Sequence, residues 1–339
     1  GKESLVFRGM VDASAPHGLA GSLLLDPKNI TIANTGADAV AANDAFAENP
    51  TLLATFDADL ITTITNAGTA VTLQANNDIT VNEAITTVNG GGAGGALTFQ
   101  AGRSILINAN ITTDDAVFTA TANETLANGV VDANRDAGAA VITMAAGTTI
   151  NAGTANISIT LSTGTGLTNS TSGDITLAAL TTTSHVLVVN NGPTAGSGIV
   201  RVDGTQLITA SSAALDVNGG GGGGEIGTSG APIRVTVTNL EALSQSGGAF
   251  FLSPTQGVDI GTASLGGLTG ISTSSGGNVE VTVTSGNLTD SETSTIAGTS
   301  SFTTTLADAD ILLDATPAFT GAVSLSVNGA TGNAEISNA

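Results

Sequence analysis

The sequence contains no cysteine, tryptophan or tyrosine, and only 7 of its 339 residues are Lys or Arg. The missing cysteines exclude a disulfide scaffold and thiol chemistry. Because 28 Asp and Glu outweigh the basic residues, the net charge is −21, which repels phosphate backbones and anionic lipid and excludes nucleic acid as a partner. The chain also lacks an apolar run long enough to span a bilayer, and its first ten residues, GKESLVFRGM, lack a signal-peptide core. We therefore expect a piece of a longer chain.

The sequence is rich in Ala, Thr, Asn and Gly, and one stretch occurs twice. AVTLQANNDITVNEAITT at 70–87 and ALTFQAGRSILINANITT at 96–113 share nine of their eighteen positions. Apolar residues alternate within each short run and then jump across NND or GRS, which indicates a strand, a corner and a second strand. The alignment superposes five apolar pairs, namely Val71 on Leu97, Leu73 on Phe99, Ile79 on Ile105, Val81 on Ile107 and Ile85 on Ile111.

Short strands that recur every 20–30 residues or so are typical of a solenoid with stacked coils. Similar strings continue to the end of the chain, from ISITL at 157–161 to AVSLSV at 322–327. In the stretch 141–153, Ile142 and Met144 align with Leu97 and Phe99, which predicts a separate coil. The sequence thus predicts an all-β parallel β-helix of about a dozen coils.

The segment 34–50, NTGADAVAANDAFAENP, departs from the repeat because it is Ala-rich, acidic and closed by proline. It predicts three parts, with entry strands at 1–33, a connecting loop at 34–50 and the solenoid at 51–339. Both ends of the chain have strand-like sequence and no helix is predicted to cover them, so we expect open sheet edges.

The entry segment LVFRGMVDASAPHGLAGSLLLDPKNITI at 5–32 resembles filamentous-haemagglutinin-like large exoproteins of two-partner secretion systems. The likeness is carried by the run Leu23, Leu24, Leu25, Asp26, Pro27, Asn29, Ile30, Thr31 and Ile32. NNDITV, AGRSILINANITT and PAFTGAVSLSV are similar to repeats of the same family, so the resemblance covers most of the chain.

The resemblance implies a right-handed parallel β-helix that is secreted to the cell surface of a Gram-negative-type bacterium and serves as an adhesin or stalk. It implies a receptor or glycan on a host or neighbouring cell as partner. It also implies an outer-membrane transporter, recognised through a region not evident in this chain. A self-assembling filament subunit is the alternative within the non-enzyme class, and its partner would be the chain itself.

A carbohydrate-cleaving β-helix enzyme is the alternative from another class. Such enzymes group Asp with Lys, Arg or His on one face, because they neutralise a uronate and move a proton. Here only Arg135 and the pair Arg201 and Asp203 have basic and acidic groups in one short motif. We therefore expect no catalysis and no cofactor, and interpret His185 as a surface or coil-edge residue.

Calcium is the one cofactor that a motif supports. In VDANRDAG, Asp132, Asn134 and Asp136 supply oxygen ligands at alternate positions, as a loop around a hard cation requires. The alternative is a solvated turn, because Gly138 lies one place later than in an EF-hand loop and no Glu closes the motif. The pair Asp114 and Asp115 predicts a plain acidic corner.

Six Asn-x-Ser/Thr sequences are acceptor motifs for glycosylation. In a chain this rich in Asn and Thr, we interpret them mainly as turn and ladder residues. They are Asn29, Asn110, Asn123, Asn156, Asn169 and Asn287.

Overall fold

A computed structural model describes residues 22–25, 28–34, 54–219, 224–245, 247–262, 266–274 and 276–337. The chain divides into two compact units, 1–172 and 173–339. The predicted loop 34–50 lies outside the described residues apart from Asn34, as do Asp26 and Pro27 of the entry motif.

The first unit consists of short strands that return to the same three sheets once per coil. Its strands are β1 (Ser22–Leu25), β2 (Ile30–Ile32), β3 (Ala54–Phe56), β4 (Ala70–Ala75), β5 (Ile79–Val81), β6 (Ile85–Thr86), β7 (Leu97–Ala101), β8 (Ile105–Ile107), β9 (Ile111–Thr112), β10 (Phe118–Ala122), β11 (Ala140–Met144), β12 (Thr149–Asn151) and β13 (Ile157–Leu161). Within this unit the strand orders are β1-β4-β7-β10-β13, β3-β2-β5-β8-β11 and β6-β9-β12. The strands pair in parallel, which confirms the β-helix predicted from the repeat.

The register between the first two complete coils is the predicted one. Val71 pairs with Leu97, and Ile79 pairs with Ile105. The predicted alignment of 141–153 is wrong, because Ile142 pairs with Ile105 rather than with Leu97. Strands β10 and β11 belong to one coil, with the loop 123–139 inserted between them. The sequence pattern gave the wrong alignment because inward apolar and outward polar residues alternate in the same way in the strands of different sheets.

One α-helix, α1 (Ala58–Asn66), precedes β4 in the first unit. The Asp57 side chain accepts a hydrogen bond from Asp59 N (2.9 Å), which caps the first turn. Ile61 and Ile64 are buried on one face. Five consecutive β-branched residues, ITTIT at 61–65, disfavour a helix by propensity, so only the packing of this face explains it.

The second unit follows the same plan. Its strands are β14 (Ser172–Leu177), β15 (Ala179–Thr181), β16 (His185–Asn190), β17 (Ile199–Arg201), β18 (Ile208–Thr209), β19 (Ser212–Val217), β20 (Ile233–Thr236), β21 (Asn239–Ser244), β22 (Ala249–Ser253), β23 (Val258–Ile260), β24 (Ile271–Thr273), β25 (Val279–Val283), β26 (Leu288–Asp290), β27 (Thr295–Ile296), β28 (Ser300–Ala307), β29 (Ile311–Leu313), β30 (Ala318–Phe319), β31 (Val323–Asn328) and β32 (Ala334–Ile336). One sheet has the order β16-β19-β21-β23-β26-β29-β32, with β24, β27 and β30 branching from β21. A second has the order β15-β18-β20-β22-β25-β28-β31, and β14 pairs with β17.

The core of each coil is a narrow apolar column. In β7, Leu97, Phe99 and Ala101 are buried, and Thr98 and Gln100 between them face outward. Phe99 packs edge-to-face on Phe118 of the next coil, with ring centroids 5.5 Å apart. Apolar burial contributes about 25 cal/mol per Å², so each inward position adds to coil stacking. In the described part of the chain, no helix combines the length and apolarity that a membrane span requires.

Candidate functional site

The loop inserted between β10 and β11 is the only place where sequence reasoning located a metal site. It contains two short 3-10 turns, Leu126–Asn128 and Asp132–Asn134. The inserted loop places Asp132, Asn134 and Asp136 on the outside of the coil, where each is at least partly exposed.

The two carboxylates of this motif have separate partners. Asp132 accepts hydrogen bonds from Thr168 N (2.8 Å) and Thr168 Oγ1 (2.5 Å), which hold the pKa of its carboxyl below the usual value. Asp136 pairs with Lys28 Nζ at 2.8 Å. Among the described residues, no group of three or more His, Cys, Asp or Glu side chains is arranged to hold a metal. The calcium loop stays a prediction, with its two carboxylates bonded to other partners.

Between these carboxylates, Arg135 turns inward and is only 3% exposed. Its Nε donates to Gly102 O (2.9 Å), and one terminal nitrogen donates to Asn123 Oδ1 (3.2 Å). Burial, together with the nearby Arg103, lowers the pKa of its guanidinium. Arg135 therefore fastens the inserted loop to the preceding coil and is not presented to a substrate.

Beside Arg135, one coil corner carries a ladder of polar side chains. Asn29 Oδ1 accepts from Asp78 N (3.2 Å), Asp78 Oδ1 from Ser104 N (3.1 Å), and Ser104 Oγ from Val141 N (3.2 Å). Each step joins one coil to the next. Arg103 adds an ion pair to Asp78 through its Nε (2.8 Å) and a terminal nitrogen, and this hydrogen bond raises the pKa of the guanidinium. These bonds connect successive coils, and the spacing of the polar residues in the sequence did not predict them.

The second unit contains a similar ladder. Asn287 Oδ1 accepts from Asp310 N (2.9 Å), and Asp310 Oδ1 accepts from Asn333 N (2.8 Å). The two steps are each 23 residues long, so one corner position is used in three successive coils. A backbone donor that would otherwise face water is thus satisfied by the coil before it.

The six glycosylation motifs occupy different environments. Asn29, Asn110 and Asn287 use their side-chain oxygen to accept a backbone hydrogen bond from a later coil, as the ladder interpretation predicts. Asn123 is 0% exposed and donates to Ser162 O and Ser170 O, so the folded chain presents no amide there for attachment. Asn156 and Asn169 are half-buried.

The remaining candidate residues are also engaged within the coils. Asp203 accepts from Thr205 N (2.7 Å) and Thr205 Oγ1 (2.6 Å), and these bonds lower the pKa of its carboxyl. Arg201 reaches Gly230 O at 3.5 Å. His185 begins β16 at a coil edge, and its Nδ1 lies 2.6 Å from Ser212 Oγ.

The predicted acidic corner follows β9. Asp114 and Asp115 both adopt left-handed backbone, with φ of 53° and 61°. Asp115 Oδ1 accepts from Thr154 N at 2.7 Å, and Asp114 accepts from Asn89 N. Both carboxylates therefore link loops of neighbouring coils.

Comparison of the chain with family models, with curated proteins and with solved structures finds no match.

Proposed function

We propose that this chain is a structural and adhesive segment of a secreted bacterial surface exoprotein, with no catalytic role. The observation that carries the proposal is the use of corner polar groups to join successive coils, as at Asn29, Asp78 and Ser104. Hydrogen bonds of this kind stabilise each coil against its neighbour and suit a protein that serves as a spacer. The resemblance of LLLDP at 23–27 and its surroundings to exported exoproteins supports the extracellular, Gram-negative-type setting.

The environments of the basic residues support a non-catalytic role. Arg135 donates to Gly102 O and Asn123, and Arg103 pairs with Asp78. A site that cleaves a uronate polymer needs such cations free to bind substrate. The partners we propose are a receptor or glycan on a host or neighbouring cell, and an outer-membrane transporter that recognises a different region.

Adhesion of the purified chain tests the proposal. Fluorescent beads coated with the chain are counted on epithelial monolayers and on bacterial lawns after washing, with beads coated with bovine albumin as the control. We expect the chain to retain several-fold more beads on at least one surface. Retention equal to the albumin beads on both surfaces would contradict an adhesive role.

An assay of turnover distinguishes the adhesin proposal from the enzyme alternative. A reducing-end assay over a panel of uronate and neutral polysaccharides is expected to give no sustained release. Sustained release that disappears in Arg201→Ala or Asp203→Asn would replace the adhesin proposal by the carbohydrate-active enzyme.

Self-assembly is a second candidate because sheet edges are open among the described strands, and β31 is an example. In the second unit, β31 pairs with β28 and has no second partner in the described part of the chain, and Val323 on it is 37% exposed. The expected open edge at the start of the chain lies outside the described residues, and the β6 edge of the first unit is covered by α1. There the N–H groups of Thr86 and Val88 donate to Thr62 Oγ1 (3.2 Å) and Asn66 Oδ1 (2.6 Å) of α1. Filament growth through the β6 edge would have to displace this helix.

A further inference from the structure

Where the inserted loop reaches back to the first coil, one carboxylate holds an amine and a buried amide. Asp136 Oδ1 accepts from Lys28 Nζ at 2.8 Å, and Asp136 Oδ2 accepts from Asn77 Nδ2 at 3.2 Å. The three residues come from separate parts of the chain, since Lys28 precedes β2, Asn77 precedes β5 and Asp136 precedes β11. A primary amine beside a carboxylate that serves as its base is the arrangement of an activated nucleophile.

The stacking of the coils sets Lys28 beside Asn77. Asn77 N donates to Lys28 O (2.8 Å), and two residues further on Ile79 is the register partner of Ile30. Register partners in adjacent parallel strands lie about 4.8 Å apart. The stem of lysine is a flexible chain of four carbons. The amine is therefore within reach of Asn77 Cγ through rotation of its own side chain.

The side-chain amide of Asn77 is held in place and polarised. Only 2% of Asn77 is exposed. Its Oδ1 accepts from Asp136 N (3.1 Å), and its Nδ2 donates to Asn29 Oδ1 (2.8 Å) as well as to Asp136. An N–H group aimed at a carbonyl oxygen stabilises the negative charge that develops there when a nucleophile adds to the carbon. Burial also keeps bulk water from competing with the amine for that carbon.

We propose that Lys28 and Asn77 form an isopeptide bond in a single turnover, with Asp136 as the catalytic base and acid. The carboxylate takes a proton from the Lys28 ammonium, and the neutral amine adds to Asn77 Cγ. The carboxyl then gives its proton to Nδ2, the bond between Cγ and Nδ2 breaks, and ammonia leaves. The attacking nitrogen loses a further proton through the carboxylate to the ammonia. The products are one amide between Nζ and Cγ and one ammonium ion, and Asp136 is unchanged.

The crosslink joins the first coil to the second. A covalent bond between distant positions restricts the unfolded chain, as a disulfide does, and this chain has no cysteine for that purpose. The ion pair alone adds little, because the Asp136 side chain is 50% exposed and solvent screens its charge. The reaction does not depend on the adhesive role of the chain.

Intact-mass spectrometry of the purified full chain tests the proposal. We expect the unaltered chain to be lighter than its calculated mass by one ammonia. Lys28→Arg keeps a cation beside Asp136 but removes the nucleophile, so this variant should have its full calculated mass. In Asp136→Asn the proton carrier is lost, and the bond should form at least about a hundredfold more slowly. Asp132→Asn is the matched control, because this carboxylate of the same loop bonds to Thr168 instead, and the variant should crosslink fully.

Digestion with proteases that cleave at Asp and Glu locates the bond. Asp38, Asp57 and Asp59 lie between the two positions in the sequence, so a branched peptide that contains both Lys28 and Asn77 forms only if they are linked. We expect this peptide from the unaltered chain and from Asp132→Asn, and not from Lys28→Arg.

Three results would overturn the crosslink. The first is an unaltered chain at its full calculated mass. The second is an equal loss of ammonia in Lys28→Arg, which would indicate cyclisation at an asparagine such as Asn89, which precedes Gly90. The third is a branched peptide that joins other residues. Because Lys28→Arg alters only a surface ion pair, the test does not require a substitution at the buried Asn77.

Discussion

Several acidic residues of the described chain accept hydrogen bonds from backbone N–H groups of a neighbouring coil. Asp78, Asp115 and Asp310 each accept from a residue 23 or more positions further on. A carboxylate is a stronger acceptor than an amide, and it accepts two donors without needing one itself. The excess of Asp and Glu thus has a structural use at the residue scale.

Asp216 has no such role, and its burial predicts that stability depends on pH. It lies in β19 between Val189 and Leu243 of the adjacent strands, and its Oδ1 is buried with no partner among the residues that the structure describes. Burial raises the pKa of this carboxyl to about 6, from 3.8. Between these values the folded chain keeps a proton that the unfolded chain releases, so stability falls as pH rises through this window.

We therefore expect Asp216→Asn to raise the melting temperature by a few degrees at about pH 7.5 and to change it little near pH 3.5. The side chain is only partly buried, so solvent screening keeps the gain on the order of 1 kcal/mol. Calorimetry of both proteins at the two pH values measures the difference. A shift of the same size at both would show that the carboxyl does not titrate with folding.

The close packing at Gly95 predicts that a side chain there would destabilise the fold. A Cβ at this position would overlap Thr69 O of the preceding coil, whereas a Cβ at Gly90, in the same glycine-rich loop, meets nothing within 4 Å. Gly95→Ala should cost about 1–3 kcal/mol or more, because two backbones must separate. Gly90→Ala should change the free energy of unfolding by less than about 0.5 kcal/mol. Urea denaturation of the pair checks this, and equal effects would contradict the close approach.

At the scale of elements, the strands derive their stability from inward positions stacked between coils. Ile105 pairs with Ile79 on one side and Ile142 on the other, and it is fully buried. The next residue, Leu106, points outward and is half-buried. A charge at Ile105 would therefore lie in the apolar column, whereas a charge at Leu106 would lie on the outer face.

Ile105→Asp should prevent folding or lower the melting temperature by well over ten degrees, because an unpaired charge in the apolar column costs several kcal/mol. Leu106→Asp places the same charge in the same strand on the outer face and should be tolerated within a few degrees. Circular dichroism melts compare the two. A stable Ile105→Asp protein would contradict the position of the column.

Charge dominates association at the scale of the whole molecule. Nine Asp and Glu follow Arg234, and no Lys or Arg follows it. The open β31 edge lies in this acidic region, with Val323 and Leu306 37% and 47% exposed. An unpaired edge with exposed apolar groups favours pairing with another copy, and like charge opposes it.

We expect the purified chain to associate as protein concentration rises, and more readily in about 0.5 M salt, where the Debye length is below about 5 Å. Val323→Glu should reduce the association by adding charge at the edge. Static light scattering over both variables measures it. If association depended on contacts between opposite charges, it would weaken with salt instead. A monomer under every condition would exclude self-assembly.

The alternation and period of the sequence determined the class of fold and the pairing of Val71 with Leu97, because inward and outward positions differ in hydrophobicity and identical coils stack in register. Two matters were decided only by tertiary structure. The helix at 58–66 forms against its own propensity because it packs on β4 and accepts hydrogen bonds from Thr86 N and Val88 N at the β6 edge.

The packing of the loop inserted between β10 and β11 could likewise not be predicted from the sequence. Gln74, Gln100 and Glu124 meet because the loop between β10 and β11 folds back over two earlier coils. No local pattern encodes that return, since it depends on Val130 and Arg135 packing against Gly102, 28 and 33 positions earlier in the chain. Local hydrophobic periodicity specifies how coils stack, whereas the chemistry on their surface depends on where inserted loops pack.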